Sequence, residues 1–182
     1  TRNSGRPQSA PGARPQSRNS GRSFSNNSSF APRKQYRTPQ TSFNSVANPD
    51  ALRIIPIGGC EEVGRNMTVF EYGEDIVVLD MGLQFPEEDM PGIDYIIPNI
   101  KYLQGKEKNI RAIAFSHGHL DHIGAAPILL EKLGYPPVIA MPLTLALIKH
   151  RLEDYQKGSS RKLKTIPVTA MNQKVAAGAM TV

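Results

Sequence analysis

Apolar residues come in short, β-branched-rich runs from Leu52 onward: Leu52 to Ile57, Met67 to Tyr72 and Ile76 to Leu79, broken by Gly58-Gly59 and by Gly73. Runs of this length bounded by glycine predict strands joined by tight loops. Pro86, Pro91, Gly92 and Pro98 make Leu83 to Asn99 a long irregular excursion, and Arg111 to Phe115 predicts a buried fourth strand. A helix is predicted over Ile123 to Leu133, stopped by Gly134 and the Pro136-Pro137 pair. Val138 to Met141 predicts another strand. Pro142 then suits the first turn of a second helix, with Leu145, Ile148, Leu152 and Tyr155 on one face. Beyond a basic Gly/Ser-containing connection, Lys157 to Lys164, the stretches Thr165 to Val168 and Met180 to Val182 predict strands, the last within a hairpin. No internal repeat is visible. Strands first, then helix and strand in alternation, predict a mixed α/β (α+β layered) domain.

Ahead of Leu52 there is no apolar period at all. Residues 1 to 48 are Ser, Asn, Arg, Gln, Pro and Gly with isolated Phe24, Phe30, Tyr36 and Phe43, which predicts a disordered basic arm in front of a folded part over 49 to 182. The charge follows the same division. Residues 1 to 50 hold eight basic side chains and one acid, a balance of +7, whereas the remaining 132 residues hold 14 basic and 15 acidic side chains, a balance of −1. The overall charge of +6 therefore says little about the folded part. Two readings of the arm stay open: arginines meeting phosphates of single-stranded RNA with aromatics stacking on bases, or an entropic, solubilising tail. No run approaches the ~18 apolar residues of a membrane span, and the front of the chain has no apolar signal region. A single cysteine, Cys60, forbids an internal disulfide and points to a reducing, cytoplasmic setting. Cys60 is expected to be a small buried apolar residue. The start at Thr1 rather than Met suggests a trimmed chain.

The chemistry is concentrated in Ser116-His117-Gly118-His119-Leu120-Asp121-His122-Ile123-Gly124, which holds three of the four histidines of the chain. The cluster follows a strand and precedes a helix, so it occupies a loop of the kind where ligand sites of α/β proteins lie. His117 and His119, two apart, can point to one side of an extended segment and clasp a metal. Asp121 and His122, at the turn into the helix, can face a second one. Imidazole and carboxylate suit divalent zinc, or manganese where oxygen ligands dominate. Two such ions about 3.5 to 4 Å apart can activate a water and stabilise charge in phosphoester hydrolysis. The bland alternative is a histidine-rich polar turn or a structural metal. Gly124 and Ala125-Ala126 fit a helix that begins against a crowded loop.

The His-x-His-x-Asp-His pattern, preceded by a strand ending in Asp80 (Ile76-Val77-Val78-Leu79-Asp80), resembles the metallo-β-lactamase superfamily. More narrowly, Ile55-Pro56-Ile57-Gly58-Gly59-Cys60-Glu61-Glu62-Val63-Gly64-Arg65-Asn66, Asp80-Met81-Gly82-Leu83-Gln84-Phe85-Pro86 and Gly92-Ile93-Asp94 resemble the ribonuclease J family of β-CASP ribonucleases. The resemblance runs from about Leu52 to the end and implies an αββα sandwich, here its N-terminal part, with an inserted β-CASP domain. It also implies 5′-to-3′ exonuclease and endonuclease action in RNA processing and decay, with two zinc ions per site. His117 and His119 would bind one metal, Asp121 and His122 the other, and Asp80 would be a carboxylate behind the ligands that steadies the loop. Asp80 and Asp121 are thus the implied catalytic carboxylates. From position alone Asp80 also suits a strand-ending turn. Single-stranded RNA, self-association and proteins of RNA decay are the implied partners.

The resemblance also implies ligands this stretch does not supply: a further histidine, a bridging aspartate and a last histidine. After His122 the remaining histidine is His150 and the acids are Glu131, Glu153 and Asp154. His150 is expected to be a solvated helix residue. The chain therefore reads as an N-terminal piece of such a nuclease, inactive alone and with apolar faces of Ile54, Val77, Leu79, Ile113 and Phe115 left open. Gly58-Gly59 and Glu62 suit either a turn or the floor of an RNA channel, and Lys157, Arg161, Lys162 and Lys164 suit a solvated loop or phosphate contacts. Two other functions remain in view: a different hydrolase of the same fold, such as a glyoxalase-like thioesterase, and a non-catalytic RNA-binding or assembly piece.

Overall fold

The structure is a computed structural model that describes Asn48 and residues 50 to 182; the predicted arm lies outside the described residues. Six strands form one sheet in sequence order: β1 (Arg53–Gly58), β2 (Met67–Tyr72), β3 (Asp75–Leu79), β4 (Ile110–Ala114), β5 (Val138–Ala140) and β6 (Thr165–Pro167). The pairs β1–β2 and β2–β3 are antiparallel, joined by loops that glycines close. From β3 onward every pair is parallel, which requires crossovers, and these carry the helices. They are α1 (Leu120–Ile123) and α2 (Ala126–Lys132) between β4 and β5, and α3 (Pro142–Tyr155) between β5 and β6. A short hairpin, β7 (Ala176–Ala177) with β8 (Met180–Thr181), forms a second sheet.

Period-two alternation sorts the strand residues onto two faces. Val69, Ile76, Val78, Ile113 and Val138 pack with Leu129 and Leu130 of α2 and with Leu145, Ile148 and Leu152 of α3 in the larger core. Val77, Ala112, Ala114 and Ile139 face the other way and pack with Ala177 and Met180 of the hairpin. Of the residues expected on an open face, Ile113 and Phe115 are instead buried on the helical side, because alternation along β4 puts them opposite Ala112 and Ala114. Ile54, on the edge strand, is exposed.

The single helix predicted over Ile123 to Leu133 is two helices. A Cβ at Gly124 would lie 2.4 Å from both the Leu120 carbonyl oxygen and Leu83 Cγ, so the chain passes this point only as glycine. Pro127 then opens α2. Its end is a Schellman turn: Tyr135 N–H donates to the Leu130 carbonyl (2.9 Å), Gly134 N–H donates to Glu131 (3.1 Å), and Gly134 has φ +76°. On α3 the buried face is Thr144, Leu145, Ile148 and Leu152, and Tyr155, expected with them, is exposed at the last turn.

Alternation on β2 also puts Glu71 on the buried face with Met67 and Val69. A carboxylate there needs partners. Tyr102 Oη donates to it (2.6 Å), Lys106 Nζ donates (3.2 Å), and Arg53 Nη1 lies 3.0 Å from its other oxygen. Burial pushes the carboxyl up, but the hydrogen bonds from Tyr102 and Lys106 and the charges of Lys106 and Arg53 outweigh it and hold it below the usual carboxylate value. A depressed native pKa means stability that is present above the unfolded value of about 4.3 and lost as pH falls through the native one. Glu71→Gln should therefore cost about 1 to 3 kcal/mol at neutral pH and flatten the acid loss seen in the unmodified chain. Urea midpoints at pH 7 and pH 3.5 check both points.

Candidate functional site

The parallel strands β3 and β4 end side by side, and the residues just past them meet. Asp80 follows β3 with φ +62°, a left-handed conformation that aspartate tolerates better than most residues. It is buried. Its Oδ1 accepts from the Ser116 backbone N–H (2.8 Å), and its Oδ2 accepts from Ser116 Oγ (2.9 Å) and from His122 Nδ1 (2.8 Å). An ionised carboxylate only accepts, so His122 carries its proton on Nδ1 and presents Nε2 as a lone-pair donor. That nitrogen lies 3.3 Å from Asp121 Oδ2.

The loop after β4 sets the remaining rings. His119 is the N-cap of α1, and Asp121 and His122 lie in its single turn. The His117 ring sits 4.6 Å from the ring of His119 and 4.1 Å from that of His122, centroid to centroid. The His117 ring thus stands between the other two. The imidazoles and Asp121 have the chemistry of a zinc donor set. Among the described residues no three His, Cys, Asp or Glu side chains converge into a ready cation cage.

Two contributors were not legible in the motif. Asn66 Nδ2 donates to the Asp121 carbonyl (3.0 Å) and lies 3.4 Å from both Asp121 Oδ2 and His122 Nε2. Ser116 links Asp80 to the loop. The backbone is laced across the same place: Met81 N–H donates to His122, Leu83 N–H to Leu120, Gly82 N–H to Asn66, and Asn66 N–H to Asp121. A Cβ on Gly82 would fall 1.6 Å from the Asp121 carbonyl oxygen, and one on Gly118 would meet Leu147 of α3 at 2.4 Å.

The turn from Gly58 to Asn66 closes on itself. Gly59 has φ +87° and touches Asn66, and Glu62 accepts from Gly59 N–H (2.9 Å) and from Arg65. The Arg65 guanidinium and the Gly59 N–H hold the Glu62 carboxyl below its usual range. Cys60, expected to be buried, is exposed on this turn, because the glycine pair carries the chain away from β1 into solvent. His150 is exposed and pairs with Asp154 one helical turn on (2.9 Å), away from the other histidines in sequence and in bonding.

Residues 61–174 match the Metallo-beta-lactamase superfamily. The chain belongs to that superfamily. Its layered α/β architecture agrees with that membership, which implies a divalent metal. Among curated proteins the chain is similar to Ribonuclease J of Thermus thermophilus, 46% identical over 110 residues that cover 58% of this chain and 19% of that one. It is likewise similar to Ribonuclease J2 of Bacillus subtilis, 44% identical over 115 residues covering 63% and 20%. Ribonuclease J 1 of Streptococcus pyogenes is 40% identical over 112 residues, covering 62% and 20%. The chain spans about one fifth of the length of these relatives. No described helix is long and apolar enough to cross a membrane.

Proposed function

We propose that this chain is the front, metal-binding part of a ribonuclease J-type enzyme that hydrolyses single-stranded RNA in the cytoplasm, by 5′-to-3′ exonuclease and endonuclease action. The observation that carries the reading is 40 to 46% identity to ribonucleases J of three bacteria, joined to a loop whose donors suit hydrolysis. His117, His119, Asp121 and His122 would hold two divalent ions, zinc first and manganese second in order of fit to these donors. Such ions supply Lewis acidity toward a phosphodiester and an acidified water.

The protein's own part is positional. Asp80 holds the His122 Nδ1 proton and so keeps Nε2 free as a ligand, Ser116 holds Asp80, and Asn66 fixes the Asp121 backbone. Four protein donors leave two four-coordinate zinc ions well short of a full shell. The chain alone is therefore inactive under this reading, and ligands from a longer protein complete it. The arm, residues 1 to 48, would tether RNA ahead of a catalytic part over 49 to 182, and other copies or proteins of RNA decay are its further partners.

The test joins this chain to the remaining four fifths of the Thermus thermophilus relative and follows a labelled single-stranded RNA. The chimera is expected to cleave it only with divalent metal, while His119→Ala in the chimera and the chain alone both fall to background. A chimera that hydrolyses a thioester and leaves RNA intact would replace this reading with the thioesterase one.

A further inference from the structure

A cavity of about 440 Å³ opens directly beside Asp121, with Val63, Gln84, Phe85, Glu87 and Leu120 on its wall. Two of these are large apolar side chains left in solvent: Val63 is 88% exposed and Phe85 63%. They stand on two separate loops, and both loops are tied down. Gly64 (φ +104°) is packed so closely on the other loop that a Cβ would lie 2.8 Å from Gln84 Cβ, and Arg65 N–H donates to the Leu83 carbonyl (3.1 Å). Gln84, the residue before Phe85, exchanges two backbone hydrogen bonds with Ile96 (2.9 and 2.8 Å). The exposure of Val63 and Phe85 is thus a fixed presentation rather than a loose end, the form an apolar binding surface takes.

The charges of the wall select the occupant. Among the described residues the charged groups lining the cavity are Glu87 and Asp121, both acidic, so a phosphate is not held here and an acidic peptide is repelled. A neutral, flat, apolar-faced group fits. We propose that the cavity between Val63 and Phe85 takes a base of single-stranded RNA, stacked on the Phe85 ring, while the adjoining phosphate reaches the His/Asp loop. This rests on the ribonuclease reading and adds to it the residues that recognise a base. Stacking of this kind accepts any base, because every base offers a π face.

The chain contains no tryptophan, so Phe85→Trp places a single indole reporter at the site. The probes are a 12-nucleotide oligoadenylate and an abasic ribose-phosphate strand of equal length, because basic residues elsewhere in the chain bind either one. The whole chain is used, with binding followed independently by anisotropy of end-labelled strands. The expected result is that the indole emission of the Phe85→Trp variant is quenched by oligoadenylate and unchanged by the abasic strand at equal occupancy. Phe85→Ala, and to a lesser degree Val63→Ala, should reduce the preference for oligoadenylate over the abasic strand by about 5- to 150-fold, the range for one stacked base. Binding of oligoadenylate with unaltered indole emission, and an unaltered preference in Phe85→Ala, would overturn the proposal while leaving the ribonuclease reading in place. Failure of the unmodified chain to bind either strand would overturn the base site, whereas the ribonuclease reading stands or falls with cleavage by the chimera.

Discussion

Gly82→Ala is expected to destabilise the folded part by about 3 kcal/mol or more. The added carbon would sit 1.6 Å from the Asp121 carbonyl oxygen and 2.7 Å from Asn66 N, and both are backbone atoms that no rotamer change can move. Relief requires parting the segments around Asn66, Gly82 and Asp121, which breaks the bonds from Gly82 to Asn66 and from Asn66 to Asp121. Gly92→Ala is the control. Gly92 has φ +82° but nothing within 4 Å of a built Cβ, so its cost is the conformational penalty alone, about 1 to 2 kcal/mol. Urea unfolding of the two variants should rank them in that order, and equal midpoints would mean that the loop is more yielding than its packing implies.

The second large effect concerns metal affinity, and Asp80 is where it is read. Asp80→Asn keeps size and an acceptor for Ser116 N–H but cannot be relied on to accept from His122 Nδ1, because its amide nitrogen is a donor. The imidazole then loses the bond that fixes its tautomer. A loss of about 10- to 100-fold in zinc affinity is expected, the usual range for a group behind a ligand. Asp80→Ala should lose as much affinity and stability besides, since it leaves the Ser116 N–H and His122 Nδ1 without the acceptor they share. Zinc titration of the chain against a competing chelator, with thermal melts alongside, separates the two components. Unchanged affinity in both variants would show that Asp80 merely closes a turn.

What could be read in the chain beforehand was what neighbouring residues decide among themselves. The β-branched run Ile76 to Leu79, the histidine cluster after β4, Pro142 at a helix start and Gly134 at a helix end each carry their signal within a few residues. What escaped depends on partners far away in sequence. Between α1 and α2 the Ala125 N–H donates to Met81 rather than back along the helix, Asn66 meets Asp121 across 55 positions, and Glu71 is buried because Tyr102 and Lys106 come to it. Cys60 escaped for the opposite reason: residue type argued for burial, and a two-glycine turn overruled it. For the candidate site, the three histidines, Asp121 and Asp80 stood together in the motif, whereas the bonds that Ser116 makes to Asp80 and Asn66 to Asp121 depend on the fold.

The strand order has a consequence for how the molecule comes into being. Each of the six strands lies beside the one that precedes it in the chain, so during synthesis every emerging strand finds its docking edge already made, and none must wait for a later segment. The Gly58 to Asn66 turn and the Asp80 to Leu83 segment exist early, but their bonding partners at Leu120, Asp121 and His122 arrive only after β4. The first four strands thus precede the histidine-bearing loop in the chain, and that loop is the clasp that shuts on the segments they carry, which leaves its side chains unoriented until Asn66 and the Asp80 to Leu83 segment are there to receive them.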